Sequence, residues 1–145
     1  MDKRIFPARW GKFYPIATAA SGLVALLSVW IWLRQSWVLG ALLLFAGGGT
    51  FLVALAQLLC TRYTMTEGGL EARSGLSKID VLYDDMEWAS SEKSQAADGY
   101  VPMALEKNAL YIYFRQGGKL YRLELSPADR EGFLEELARR APQLA

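Results

Sequence analysis

The sequence predicts an α+β protein in which a hairpin of two apolar helices precedes one strand-rich domain that ends in an amphipathic helix. Three observations predict it. Two long uncharged runs, Ile16 to Leu33 and Trp37 to Cys60, fill most of the first sixty residues. Short alternating apolar and polar runs separated by glycine turns follow from Arg62. Phe133, Leu134, Leu137 and Ala141 then form a stripe at helical spacing. The change of composition at Thr61 divides the chain into a 1–61 segment, holding the hairpin, and a 62–145 domain.

Charge divides at the same place. Residues 1–60 carry five basic side chains (Lys3, Arg4, Arg9, Lys12, Arg34) and one acid, Asp2; residues 61–145 carry eleven basic and fourteen acidic ones, a net of −3. Nucleic-acid surfaces need a basic excess to neutralise phosphates, so this balance argues against nucleic acid as a partner, and against a broad patch for anionic lipid. The lack of histidine removes the commonest general base and metal ligand. A single cysteine, Cys60, excludes an internal disulfide. It falls at the end of an apolar run, where packing accounts for it more simply than a reactive thiol.

Ile16 to Leu33 is eighteen residues without a charge. At about 1.5 Å per residue it makes roughly 27 Å of helix, close to the thickness of a bilayer's hydrocarbon core. Arg34, Gln35 and Ser36 interrupt the pattern before the twenty-four residues from Trp37 to Cys60, in which Gln57 is the one strongly polar side chain. Two membrane spans, about 16–33 and 37–60, are therefore expected, with the lipid bilayer as a partner. A cleavable leader is disfavoured because the first run is long and a second follows directly. Four basic residues before the first span and Arg62 and Arg73 after the second outweigh Arg34 in the turn, which predicts cytoplasmic termini. Trp10, Trp30, Trp32, Trp37, Tyr14 and Tyr63 suit the headgroup layer near the span ends. Thr18, Gly22 and Ala25, and the run Ala46 to Thr50, are small enough for close helix approach. Packing within the hairpin is the plain reading; contact of Gly47, Gly48 and Gly49 with a neighbouring membrane helix is the sharper one.

In the strand-rich domain, Gly68-Gly69 predicts a two-residue hairpin loop with positive φ angles, setting Met65 opposite Ala72 and Thr66 opposite Glu71. Gly117-Gly118 predicts a second, which sets Phe114 opposite Tyr121, Ile112 opposite Leu123 and Leu110 opposite Leu125 on one apolar face. Tyr111 and Tyr113 then share the other, exposed face, as cross-strand packing partners or as a candidate protein-binding surface. Lys78 to Tyr83 and Met86 to Ala89 read as strands broken by Asp84-Asp85, whose turn preference explains them better than acid chemistry or a cation site. Ser90 to Pro102 reads as a long mobile loop. Ser126 is the expected N-cap of the last helix, with Pro127 at its first position and Asp129 at its third. Glu135 and Glu136 stand four residues before Arg139 and Arg140, and Pro142 ends the helix.

Three stretches carry a family resemblance: Tyr63-Thr64-Met65-Thr66 with Gly69-Leu70-Glu71-Ala72-Arg73-Ser74-Gly75; Met103-Ala104-Leu105 through Leu110-Tyr111-Ile112-Tyr113-Phe114; and Leu125-Ser126-Pro127-Ala128-Asp129-Arg130-Glu131-Gly132-Phe133-Leu134-Glu135-Glu136-Leu137. With about six strands before one helix, directly after two spans, this chain resembles the bacterial pleckstrin-homology-like (PH-like) domains, and most closely their YyaB-like group. The resemblance covers roughly Arg62 to Arg140. It implies a partly open antiparallel β-barrel with the C-terminal helix plugging one end, in a bacterial inner membrane, and implies no ligand. The chain departs from the family's small-residue segment at Asp98-Gly99-Tyr100-Val101-Pro102 and Glu106-Lys107. Inositol phosphate binding by a basic first loop, a eukaryotic use of the fold, does not match Thr66-Glu67-Gly68-Gly69.

No nucleophile and base are paired by spacing, no glycine-rich phosphate loop precedes a helix, and no metal-ligand cluster stands in the sequence. The expectation is a non-catalytic chain with no cofactor, no metal and no small-molecule substrate. It would serve as a membrane-anchored scaffold for a protein partner or a second copy, or as an accessory subunit assembled through its hairpin.

Overall fold

The computed structural model describes residues 3–94 and 96–144. Two helices, α1 (Phe13–Arg34) and α2 (Trp37–Cys60), form the antiparallel hairpin. The Gln35 N–H ends α1 on the Ile31 carbonyl at 2.9 Å, and the Ser36 hydroxyl caps α2 by accepting the Leu39 N–H at 3.3 Å. So short a connection forces the helices side by side. Their seam is a row of small residues seven apart: Ser21 and Ser28 on α1, and Gly40, Gly47 and Ala54 on α2, all buried. A Cβ on Gly40 would lie 2.6 Å from the Trp32 Cα, so only glycine permits this approach. The hydroxyls of Thr18, Ser21, Ser28 and Thr50 each donate to the carbonyl four residues back, leaving those groups paired without water.

The strands form two sheets, each of four strands. The first, in order β1-β2-β3-β4, comprises β1 (Arg4–Pro7), β2 (Arg62–Met65), β3 (Gly69–Ser74) and β4 (Ser77–Leu82), all antiparallel. The second, in order β5-β7-β8-β6, comprises β5 (Met86–Ser90), β6 (Gly99–Pro102), β7 (Leu110–Gln116) and β8 (Lys119–Leu125). A 3₁₀ turn at Tyr83–Asp85 joins them. The sheets do not close into a barrel, which corrects the barrel geometry expected from the resemblance.

The second hairpin has the predicted register, from Leu110 opposite Leu125 to Phe114 opposite Tyr121, because Gly117 and Gly118 take positive φ angles of 59° and 79°. The first is slipped by two residues: Met65 faces Leu70 and Tyr63 faces Ala72. Thr66 closes its loop early, both its N–H and its hydroxyl donating to the Gly69 carbonyl at 2.9 and 3.0 Å. A slip of two preserves the faces. Gly68 and Gly69 do not take positive φ; Gly69 is instead required because a Cβ there would run into the Val81 carbonyl.

Two strands lie where the sequence predicts none. β1 pairs Phe6 with Tyr63 and Ile5 with Thr64, tying the residues before the hairpin to those after it. β6 falls inside the stretch expected to be a loop and runs parallel to β8, anchored where the Leu120 N–H donates to the Asp98 carboxylate at 2.9 Å.

The third helix, α3 (Arg130–Arg140), starts later than expected. Asp129 is its N-cap, accepting the Gly132 N–H at 3.0 Å. Ser126 is occupied otherwise: its hydroxyl accepts the Leu105 N–H at 2.9 Å and donates to the Arg9 carbonyl at 3.3 Å, while its N–H donates to the Tyr63 hydroxyl at 3.0 Å. Phe133, Leu137 and Ala141 enter a common core with Tyr63, Met65 and Leu70 of the first sheet and Leu110, Ile112 and Leu123 of the second. The Phe133 ring meets Phe6 edge-on at 5.2 Å.

Two polar hubs fix this core. The Tyr63 hydroxyl, wholly buried, accepts from Ser126 and donates to the Met103 carbonyl at 2.6 Å; burial raises its pKa. Replacing Tyr63 by Phe strands both partners and is expected to cost about 1–3 kcal/mol, read as a lower unfolding midpoint in detergent micelles. The buried Glu136 carboxylate accepts from Arg139 and Arg140, both at 2.5 Å, and from Arg4 at 3.3 Å. These guanidinium bonds hold its pKa at about 2, below its ordinary 4.5. A depressed carboxylate stabilises the fold above the unfolded value and loses that contribution as pH falls. Stability should therefore decline from about pH 4.5 towards 2, and Glu136→Gln should flatten that part of a thermal-melt pH series.

Candidate functional site

The residues singled out in the sequence fall in four separate places. Gly47 lies in the hairpin seam, where a Cβ would stand 2.9 Å from Val24 Cγ1, whereas Gly48 and Gly49 have open space beside them. Tyr113, expected to be exposed, is fully buried: it stacks on Trp88 at 4.4 Å, and its hydroxyl accepts the Ser94 N–H at 2.7 Å. The stretch read as a mobile loop thus folds over this face of the second sheet. Tyr111 stays half-buried beside Arg122, whose guanidinium also meets Tyr100 and pairs with Glu124 at 3.1 Å. Asp84 and Asp85 occupy the 3₁₀ turn between the sheets, and Cys60 is exposed at the end of α2. Among the described residues, no three His, Cys, Asp or Glu side chains gather as a metal site.

Comparison of the chain with family models, curated proteins and solved structures gives no match. The candidate site therefore rests on geometry.

The two edges of the first sheet are unlike. The end of β1 and the two residues after it are held by the segment leading to α3: Arg9 N–H donates to the Ser126 carbonyl at 2.6 Å, Ala128 N–H to the Pro7 carbonyl at 2.9 Å, and Ala8 bridges Pro127, while Arg4 and Ile5 stay exposed. β4 has β3 as its one strand partner among the described residues, so its outer edge carries no strand. Lys78, Asp80 and Leu82 are exposed along it, and Ile79 is half-buried. Such an edge offers unpaired backbone donors and acceptors to an extended segment of another chain. Sequence reasoning found this strand; its place at an open edge follows from long-range pairing.

Two concavities flank the hairpin. A cleft of about 690 Å³ lies where Arg9, Trp10, Lys12 and Phe13 meet Leu105, Glu106 and Lys107. Gly11 allows it, since a Cβ there would meet the Leu105 carbonyl oxygen at 2.8 Å, and Arg9 pairs with Glu106 at 3.7 Å. A groove of about 900 Å³ between the helices is lined almost wholly by apolar side chains, including Leu23, Leu26, Leu44 and Phe51.

The seven-residue spacing of Gly40, Gly47 and Ala54 is the signal that separates seam glycines from outward ones, and the sequence reading missed it. Gly47→Leu is expected to force the helices apart, at about 1–3 kcal/mol for overpacking, while Gly49→Leu leaves them in place. Distances between spin labels on the two helices should lengthen in the first variant and stay unchanged in the second.

Proposed function

We propose that this protein is a membrane-anchored, non-catalytic recognition module, held by its helical hairpin and presenting the bare edge of β4 to an extended segment of a protein partner. The observation that carries the reading is the outer edge of β4, which has no strand partner along its length among the described residues, whereas the residues from Pro7 to Arg9 at the end of β1 are held to 126–128. The hairpin supports the anchor. Both helices are long and apolar enough to cross a membrane, and large apolar side chains such as Phe45 (85% exposed) and Leu33 (77% exposed) point away from the protein. Internal pairing of the helix hydroxyls suits a solvent without hydrogen bonds. Because β1 and β2 pair, the two ends of the hairpin belong to one domain on one side of the bilayer. The basic residues beside those ends support the cytoplasmic side of a bacterial inner membrane. Two sheets with α3 filling the space between them support a PH-like reading of the domain.

A second reading, an accessory subunit assembled through the hairpin, is favoured by the open space at Gly48 and Gly49 and by the apolar groove. Photoreactive residues at Lys78, Leu82 and Gly49 of the full chain in native membranes separate the two. Adducts from Lys78 and Leu82 to one protein, lost on Ile79→Pro, are the expected result. Adducts from Gly49 alone would transfer the function to the hairpin, and none from any position would overturn both.

A further inference from the structure

We infer that the end of the first sheet nearest the hairpin is a binding site for anionic phospholipid headgroups, formed by Arg62, Arg73 and Lys78 with Leu76 as an apolar wedge. This rests on the membrane reading above and adds a ligand to it.

The pairing register sets Arg62 directly opposite Arg73, and Arg73 directly opposite Lys78. Residues directly opposite in antiparallel strands share a face, so three cations stand in one row across three strands. All three are exposed. Like charges so placed repel, and folding tolerates them best where counter-charge is supplied. Lys78 meets Glu71 at 3.4 Å and Asp80 at 3.9 Å, but neither Arg62 nor Arg73 has an ion-pair partner among the described residues. Two guanidinium forks without carboxylates suit phosphodiester oxygens, which they bind in pairs.

The row lies where headgroups would be. Arg62 follows the last residue of α2 by two positions. The turn after Arg73 is fastened to that helix: the Ser74 hydroxyl donates to the Gln57 amide oxygen at 2.5 Å and lies 3.2 Å from the Thr61 hydroxyl, and Gly75 packs on the Gln57 side chain. Gln57 is in the last turn of α2, so this β3–β4 turn is held at the level of the helix end. Its tip is Leu76, which is 97% exposed. A leucine this bare, fixed beside an apolar helix and flanked by Arg73 and Lys78, has the composition of an interfacial contact: apolar tip into acyl chains, cations at the phosphates. The domain's net negative charge conceals the site, because register gathers cations that the sequence keeps apart.

The test uses the full chain reconstituted into nanodiscs of equimolar phosphatidylcholine and phosphatidylglycerol, with the lipids retained on the protein counted by native mass spectrometry. Phosphatidylglycerol should be enriched about fivefold. The triple variant Arg62→Gln, Arg73→Gln, Lys78→Gln should bring the ratio near one, while Lys93→Gln with Lys119→Gln keeps it. With the repulsive row removed, the triple variant should melt no lower than the wild type in pure phosphatidylcholine, which separates lost binding from lost folding. A triple variant that retains the wild-type enrichment overturns the site. So does displacement of the lipid by inorganic phosphate, which would assign the row to a soluble anion. A chain that inserts in both lipids with no headgroup preference overturns this inference alone. One that stays in the supernatant without detergent overturns the membrane reading and this inference with it.

Discussion

The antiparallel pairing of β1 with β2 is the constraint on which the rest of the molecule depends. These strands stand on either side of the helical hairpin in sequence, and their ladder draws the two helix ends to one sheet. With the ends converged, the seam can close on Gly40 and Gly47, and α2 can be fastened to the β3–β4 turn through Gln57 and Ser74. The same strand delivers Phe6 against Phe133 and Arg4 to Glu136, so the C-terminal helix is held by residues that precede the hairpin. Removing β1 would expose the side of β2 that Phe6 and Ile5 cover and would leave the Ser126 segment without the backbone partners it uses.

Most of the buried polar groups follow one economy, the Arg122 Nε being buried without a hydrogen-bond partner among the described residues. Where the chain is apolar, hydroxyls turn back on their own helix; where it is packed, single polar side chains join several segments. Tyr63 reaches Met103 and Ser126, and Ser126 reaches Leu105 and Arg9, so one hydroxyl and one serine gather β2, the loop before β7, the residues after β8 and the entry to α1. The bonds among Tyr63, Met103, Ser126 and Leu105 are removed from water, and each of these donors and acceptors has a partner, which is how a buried polar chain avoids the cost of stranded groups. The surfaces proposed for interaction are the converse: among the described residues, the outer edge of β4 has no strand partner and Arg62 and Arg73 have no ion-pair partner.

Local chemistry was readable from the sequence and distant pairing was not. The second hairpin was placed residue for residue because two glycines fix its turn and three apolar pairs then fall on one face. The first was displaced because Thr66 closes the loop before the glycines do, a choice between two turns of similar composition. Ser126 and Asp129 can both cap a helix, and only the demand of Tyr63 and Leu105 on Ser126 decides between them. β1 reads as a basic flank of the first apolar run, and β6 as part of a polar loop, since their partners are remote. The tyrosine face illustrates the same limit: alternation put Tyr113 outward correctly, but the segment folded over it carries no periodic signal. Of the candidate site, the strand β4 and its charges were visible, whereas its bare edge and the row of three cations exist only in the register.

The pairing of β1 has a consequence for biogenesis. Translation delivers β1 first and its partner only after both helices have been made, an interval of several seconds at about 5–20 residues per second. During that interval Phe6 has no core to enter, so the domain cannot complete itself ahead of the hairpin. In a bilayer, a chain in which one of the two helices crossed and the other did not would leave β1 and β2 on opposite sides of the lipid, where no ladder can form. Completion of the sheet therefore requires that both helices cross or that neither does.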